Sequence, residues 1–266
     1  MFVDSHCHLD FKDFDADRQE VLARARAAKV AMMLTISTKI TEAAEIIALA
    51  EAHEELACSI GIHPHEAGAQ PHTSAAQLVE LARHPKVIGI GETGLDYYYE
   101  HSPREAQQKN FRAHIEAARL SGLPLIVHAR DADEDTADIM EDEMGKGAYP
   151  ALIHCFTAGP ELARRALDMG CYISISGIAT FNSAKQLRQT IETIPLERLL
   201  IETDAPFLAP VPHRGKRNEP SFVADTAAAL AALKGVSVEQ LAQATSDNFF
   251  SLFTKADRVG FDQRAG

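Results

Sequence analysis

Phe2-Val3-Asp4-Ser5-His6-Cys7-His8 opens the chain and sets a pattern that its other segments repeat. An apolar start runs into an H-x-H pair, and the period of two along a strand puts His6 and His8 on one face. Short apolar segments of this kind recur at 31–36, 58–62, 87–91, 125–128, 152–154, 172–176 and 199–202. Their spacing of roughly 22–36 residues is that of a βα unit. Most are continuous apolar runs rather than alternating ones, as expected of a parallel sheet covered on both faces.

The stretches between them carry helical periodicity. Residues 19–28 place Val21, Leu22 and Ala25 on one stripe, and Thr41 is read as the cap of a helix running to Ala52. Ser102-Pro103 starts a long helix to Leu120 with proline at its first position, and Gly159-Pro160 does the same for 161–169. Gly122 and Gly170 stand where helix C-caps belong. Helices at 221–233 and 238–253 close the chain, and 254–266 reads as a polar, frayed tail. Repeated strand–helix units specify an α/β fold with a parallel sheet. Eight of them favour a (β/α)8 TIM barrel in a single domain spanning 1–266. The competitor is a doubly wound open sheet, weakened because no G-x-G-x-x-G follows the first strand.

The chain has 266 residues, close to the roughly 250 of such a barrel, and its 46% hydrophobic content supplies a large core. No apolar run reaches the roughly 18 residues of a membrane helix. The first residues carry no basic start, apolar run or cleavage site, so a soluble cytoplasmic protein with no membrane partner is expected. Cys7, Cys58, Cys155 and Cys171 show no C-x-x-C spacing, so zinc ribbons are not indicated. Cys7 and Cys155, each beside a histidine, are expected to point to the opposite face and pack under the helices. The net charge of −12 argues against general nucleic-acid affinity.

The chemistry concentrates at strand ends. His6 and His8 end the first segment, Glu92 follows the fourth, His128 ends the fifth, His154 the sixth, and Asp204 follows the eighth. In a barrel all of these meet on the C-terminal rim, where such folds place their active sites. Histidine and carboxylate suit Zn²⁺, Mn²⁺ and similar ions. The set exceeds the three protein ligands of a single catalytic zinc, and a carboxylate in its middle can bridge two ions roughly 3.5–4 Å apart. The alternative for any one histidine is a hydrogen-bonded structural role. His53, His72, His84, His101 and His114 fall in helices or their flanks and are read as solvated or structural. Asp4 and Glu202 share a face with His6 and Asp204. They are read either as carboxylate partners of the ligand histidines or as buried structural polar groups.

At these residues the chain resembles the TatD family of metal-dependent deoxyribonucleases, within the amidohydrolase superfamily. The matching stretches are Asp4-Ser5-His6-Cys7-His8-Leu9, Gly61-Ile62-His63-Pro64-His65, Gly91-Glu92-Thr93-Gly94-Leu95-Asp96-Tyr97, Pro124-Leu125-Ile126-Val127-His128-Ala129-Arg130, His154-Cys155-Phe156, and Ile201-Glu202-Thr203-Asp204-Ala205-Pro206-Phe207-Leu208-Ala209-Pro210 through Arg214-Gly215-Lys216-Arg217-Asn218-Glu219-Pro220. The last is the most specific. After Phe156, Thr157-Ala158 stands in place of the usual Ser-Gly, which bears on the loop after the sixth strand. The resemblance implies a barrel, divalent metals and hydrolysis of DNA phosphodiesters, with His6, His8, Glu92, His128, His154 and Asp204 matching the metal ligands.

The mechanism so implied uses two ions (Mg²⁺, Mn²⁺ or Zn²⁺) bridged by Glu92, His6 and His8 holding one and His128 and His154 the other. Asp204 orients the attacking water and takes its proton. Arg130 neutralises phosphate, or else pairs with Asp131 or Asp133. His63 and His65 either touch substrate or bond within their loop, Asp96 belongs to that loop's hydrogen-bond network, and Tyr97-Tyr98-Tyr99 is read as packing rather than base stacking. Arg214, Lys216 and Arg217, the densest positive charge, are expected to meet phosphates; the alternative is a solvated run with Arg217 paired to Glu219. The partner is then DNA, chiefly single strands or ends, attacked as an exonuclease. The rivals are a superfamily hydrolase of amides or esters, such as an aminoacyl ester, and a non-catalytic metal-binding scaffold. The oligomeric state stays open, a monomer being plausible.

Overall fold

The structure, a computed structural model, describes residues 1–70 and 73–265; His72 lies outside the described residues. Strands and helices alternate: β1 (Phe2–Cys7), α1 (Arg18–Ala27), β2 (Val30–Thr35), α2 (Ala43–Glu51), β3 (Leu56–Ile60), α3 (Ala75–Leu81), β4 (Val87–Asp96), α4 (Arg104–Ser121), β5 (Leu125–Arg130), α5 (Asp133–Met144), β6 (Ala151–Ile153), α6 (Pro160–Asp168), β7 (Tyr172–Ile175), α7 (Lys185–Thr193), β8 (Leu199–Ile201), α8 (Val223–Lys234), α9 (Val238–Leu252) and α10 (Arg258–Ala265). All eight strands pair in parallel in chain order. A parallel bridge between Cys7 and Ala205 brings β1 against the end of β8, so the sheet is a nearly closed barrel and not an open doubly wound one. Among the described residues, no single helix is long and apolar enough to cross a membrane.

Two apolar layers follow from the alternation of strand side chains. The larger lies between the outer strand faces and the helices, as with Met33, Cys58, Ile90, Val127 and Ile173 against Leu22, Ile46, Phe111, Ile115 and Leu162. The smaller fills one end of the barrel. Val3, Ala31, Ala57, Ile88, Ile126, Leu152 and Leu200, each the second residue of its strand, meet Phe249, Leu252 and Phe253 of α9. That end is plugged, and the strand C-termini are left as the open mouth.

The tail differs from its expected frayed state. Beyond residue 254 the chain forms α10, because Phe261 is apolar enough to join the plug and Arg264 Nε donates to the Ala31 carbonyl at 2.9 Å. Thr41 is not a helix cap: it sits in a 3-10 turn (Ile40–Glu42), its hydroxyl engaged by Gln70, and α2 starts after it. Pro103 caps α4 from one position outside the helix, whereas Pro160 begins α6 as expected. Gly122 closes α4 at φ 72°, and Gly170 follows α6 at φ 79°.

Candidate metal centre

Glu92 is aimed by an irregularity in β4. Ile90 pairs with Leu125 and Thr93 with Val127, so three steps on β4 match two on β5. The extra residue is a bulge, which re-aims side chains. It requires glycine on both sides. A Cβ on Gly91, at φ 134°, would lie 2.7 Å from the Ile126 carbonyl oxygen, and one on Gly94, at φ 130°, would overlap the His128 carbonyl. The two strands therefore approach closely enough for Glu92 to reach His128.

The two oxygens of Glu92 face different histidines. Oε2 lies 3.4 Å from His6 Nε2 and 4.0 Å from His8 Nε2. Oε1 lies 2.7 Å from His154 Nε2, 2.9 Å from His128 Nδ1 and 3.4 Å from His63 Nε2. Asp204 joins the first set, its Oδ1 3.5 Å from His8 Nε2 and 3.6 Å from His6 Nε2. Its place depends on the β1–β8 seam. Asp204 N donates to the His6 carbonyl, His8 N donates to the Ala205 carbonyl, and Asp204 itself adopts φ 58°, turning its carboxylate back over the mouth.

Around this core sits a ring of supporting bonds. Glu202 Oε1 meets His154 Nδ1 at 3.3 Å, which matches the first of its two readings, a carboxylate behind a candidate ligand histidine. His8 Nδ1 pairs with the Ile36 carbonyl. Asp96 does more than bond within its loop. Its Oδ2 joins His65 Nε2 at 2.7 Å and His128 Nε2 at 3.2 Å, while Oδ1 accepts from the backbone of Tyr98 and Tyr99. Of the two readings of Asp4 the structural one matches its contacts: it touches no imidazole and accepts from Thr203 Oγ1 at 2.6 Å and Thr203 N at 2.9 Å. Neighbouring strands β1 and β8 put Thr203 nearer than any ring, so Asp4 ties the seam. Burial pushes its carboxyl up to about 8 despite the Thr203 bonds.

The donor set fits divalent cations. Ring nitrogens of His6 and His8 converge to 3.3 Å, and those of His128 and His154 to 3.4 Å. Three overlapping groups, His6/His8/Glu92, His63/Glu92/His128 and His6/His154/Glu202, each bring their ligand atoms within 4.8 Å. His6 Nδ1 and Glu202 Oε2 are buried without a hydrogen-bond partner. Burial alone would raise the Glu92 carboxyl, but the charges on His154, His63 and His6 and the His128 bond outweigh it and hold Glu92 well below the usual range. Glu92 is thus ionised, and metal binding at such a site exchanges ring protons for the ion. His63, expected as a loop or substrate group, therefore belongs with the candidate ligands. The signal available was its place at the end of the third strand, on the same rim.

The mouth opens into a cleft of about 1190 Å³. Glu92, His8, His63, His65, Asp96, His128, Arg130, His154 and Asp204 all line it, together with Phe11, Lys12, Lys39 and Phe207, which sequence reasoning missed. Arg130 forms no pair with Asp131 or Asp133 and lies over the rings of Tyr98 and Tyr99 at 4.5 and 5.0 Å. Tyr97 packs, bonding Asp135 beneath Arg104; Tyr99 packs in part, stacked on His101 at 5.5 Å and edge-on to Tyr98, but both Tyr98 and Tyr99 stay exposed in the cleft. Cys155 also lines the cleft and is not packed under the helices. It lies beyond the end of β6 at φ 43°, where strand alternation no longer applies, bonded to Ser176.

The basic stretch after β8 is a correction as well. Arg214, Lys216 and Arg217 are not among the cleft-lining residues. Arg217 is held by Asp17 through two bonds of 2.8 and 2.7 Å, not by Glu219, which is taken by Arg24; Arg214 lies over Phe181. Asp17, at the N-terminus of α1, and the Asp13 carbonyl together hold the Arg217 guanidinium.

Comparison with known proteins agrees with this architecture. The family model described as TatD related DNase matches residues 3–254. The chain belongs to the TatD family. It is 45% identical over 254 residues to the uncharacterised metal-dependent hydrolase YcfH of Escherichia coli K12, covering 94% of this chain and 95% of that one. It is 36% identical over 252 residues to the 3'-5' ssDNA/RNA exonuclease TatD of Pantoea ananatis, covering 92% and 96%. The crystal structure of the TatD homologue YjjV of Escherichia coli superimposes with a TM-score of 0.88 at 30% identity, covering 95% of this chain and 98% of that one. The chain is thus a TatD-family metal-dependent hydrolase.

Proposed function

We propose that this chain is a two-metal deoxyribonuclease that removes nucleotides from single-stranded ends. The observation that carries the reading is the division of Glu92, with Oε2 toward His6, His8 and Asp204 and Oε1 toward His63, His128 and His154. One carboxylate facing two histidine sets would let each of its oxygens serve one of a pair of ions. His6, His8 and Asp204 would hold one of them, and His128, His154 and His63 the other. When bound, Mg²⁺, Mn²⁺ or Zn²⁺ supplies Lewis acidity, lowering the pKa of water toward about 7 and offsetting phosphoryl charge.

The side chains divide the remaining work by position. Glu92 is closed off from solvent, whereas the Asp204 side chain is 14% exposed at the mouth. Asp204 is therefore the carboxylate that can orient the attacking water, take its proton and pass it to solvent. Arg130, mounted on the tyrosine pair, offers a guanidinium for a phosphate oxygen. His65 and Asp96 hold His128 in its orientation from behind. The exonuclease name of the Pantoea relative points the same way.

The test is hydrolysis of end-labelled single-stranded DNA by the purified protein, with and without chelator. Release of mononucleotides that stops on chelation and returns with Mn²⁺ or Mg²⁺ is the expected result. Hydrolysis of aminoacyl esters with no action on DNA assigns the site to the rival ester or amide chemistry. Rapid linearisation of a closed circular plasmid contradicts the restriction to ends.

A further inference from the structure

Two aromatic groups flank the centre. On one side, the Phe11 ring stacks on the ligand candidate His8 at 4.7 Å, and Phe207 meets Phe11 and His8 edge-on at 6.1 and 6.3 Å. On the other, Tyr99 meets His65 at 5.5 Å, the histidine joined through Asp96 to His128. Tyr98 sits edge-on to Tyr99, Tyr99 is stacked on His101 at 5.5 Å, and the Arg130 guanidinium lies over both tyrosines. Phe207 is 51% exposed, Tyr98 58% and Tyr99 49%, and all three line the cleft. Large rings left open to water contribute little to folding, and here they stand at the two ends of the reacting centre rather than scattered over the surface.

We propose that these are two stacking platforms that hold the nucleobases on either side of the scissile phosphate, Phe11 with Phe207 taking one and Tyr98 with Tyr99 the other. This rests on the nuclease reading above. Every nucleobase presents a π-face, so aromatic platforms bind single strands with little regard to sequence, and Arg130 on the tyrosine platform adds charge for the phosphate between them. A duplex keeps its bases stacked on one another and cannot use both platforms without unpairing. The pair of platforms thus selects unpaired ends in a protein whose net charge of −12 gives no general attraction for DNA.

The test uses three single-stranded oligonucleotides, one unmodified, one with an abasic residue at the end that is cut and one with it at the penultimate position. The metal-loaded wild-type protein should cut each abasic substrate with kcat/KM lowered roughly 5- to 150-fold, the range for one lost base stack. Phe207→Ala and Phe207→Leu should erase the penalty at one of the two positions only, and Tyr98→Leu with Tyr99→Leu the penalty at the other. A binding readout without turnover uses an oligonucleotide ending in 2-aminopurine in the presence of chelator. Its fluorescence should be quenched on binding to wild type and recover in one of the two variant sets. The leucine variants keep the bulk of the ring, so loss of folding does not imitate the result. Equal cutting of all three oligonucleotides by wild type, or penalties that persist in both variant sets, overturns the platforms alone. No cutting of any oligonucleotide by the loaded wild type overturns the nuclease reading and the platforms with it.

Discussion

His114 supplies a stability term whose size and sign are set by its surroundings. The ring is fully buried in α4. Its Nε2 accepts the Ile62 N–H at 3.1 Å, so Nδ1 must carry the proton and donate to the Asn110 carbonyl at 2.8 Å. Protonation would set a second N–H against the Ile62 N–H, one residue before His63. Burial lowers the pKa from 6.5 to about 4, with the Asn110 bond opposing only in part. The folded state thus binds the proton less readily than the unfolded one. Stability from the neutral ring is complete above 6.5, falls as the pH drops from there toward 4, and is fully lost below. At roughly 1.4 kcal/mol per pH unit, the whole loss is about 3 kcal/mol, of which about 2 kcal/mol falls between pH 7 and 5. Urea unfolding of wild type and His114→Gln at pH 7 and pH 5 measures it, because the site histidines titrate in both proteins and cancel in the comparison. Wild type should lose about 2 kcal/mol more than the variant. Equal losses in the two proteins refute the reasoning.

Removal of metal by chelator should lower the thermal midpoint as well as activity, since an ion present at about 100 times its Kd stabilises by roughly 2.7 kcal/mol; an unchanged midpoint argues that no ion is held. Asp204→Asn should keep the fold and lose roughly 10²- to 10⁴-fold in kcat, whereas His6→Ala should lose bound metal, both read by steady-state kinetics and elemental analysis. Gly94→Ala places a Cβ on the His128 carbonyl at a backbone angle open mainly to glycine, and should cost about 1–3 kcal/mol in urea unfolding together with activity. Replacing Arg214, Lys216 and Arg217 with alanine should leave the salt dependence of KM nearly as it was, while Arg130→Ala should raise KM and flatten that dependence, because Arg130 alone of these four lines the cleft.

The barrel was legible because each strand is an apolar run of its own and each linking stretch carries helical spacing. The ligand candidates were legible for the same reason: His6, His128, His154 and Asp204 stand at strand ends, and strand ends share a rim. What escaped depended on distances between strands remote in sequence. Asp4 shares a face with His6, but whether it meets a ring or Thr203 is set by the β1–β8 seam. The Arg217 charge is conspicuous in the sequence, yet Asp17, two hundred positions away, claims it. Phe11 and Phe207 are ordinary apolar residues until the fold sets Phe11, half-buried, on His8 and leaves Phe207 exposed beside it. The α10 helix was hidden by polar composition, since its docking rests on one apolar residue, Phe261, and on the Arg264 bond to the Ala31 carbonyl.

The central claim is that Glu92 joins two ions, and metal stoichiometry tests it most directly. Metal-free protein titrated with Mn²⁺ or Zn²⁺ in a calorimeter, with elemental analysis of the dialysed complex, should show two ions bound per wild-type chain. Glu92→Gln, which keeps the shape but removes the charge shared by the two histidine sets, should weaken both and leave fewer than two bound after dialysis. A wild-type chain that saturates with one ion, or a Glu92→Gln variant that retains two with unchanged affinity, would contradict the account.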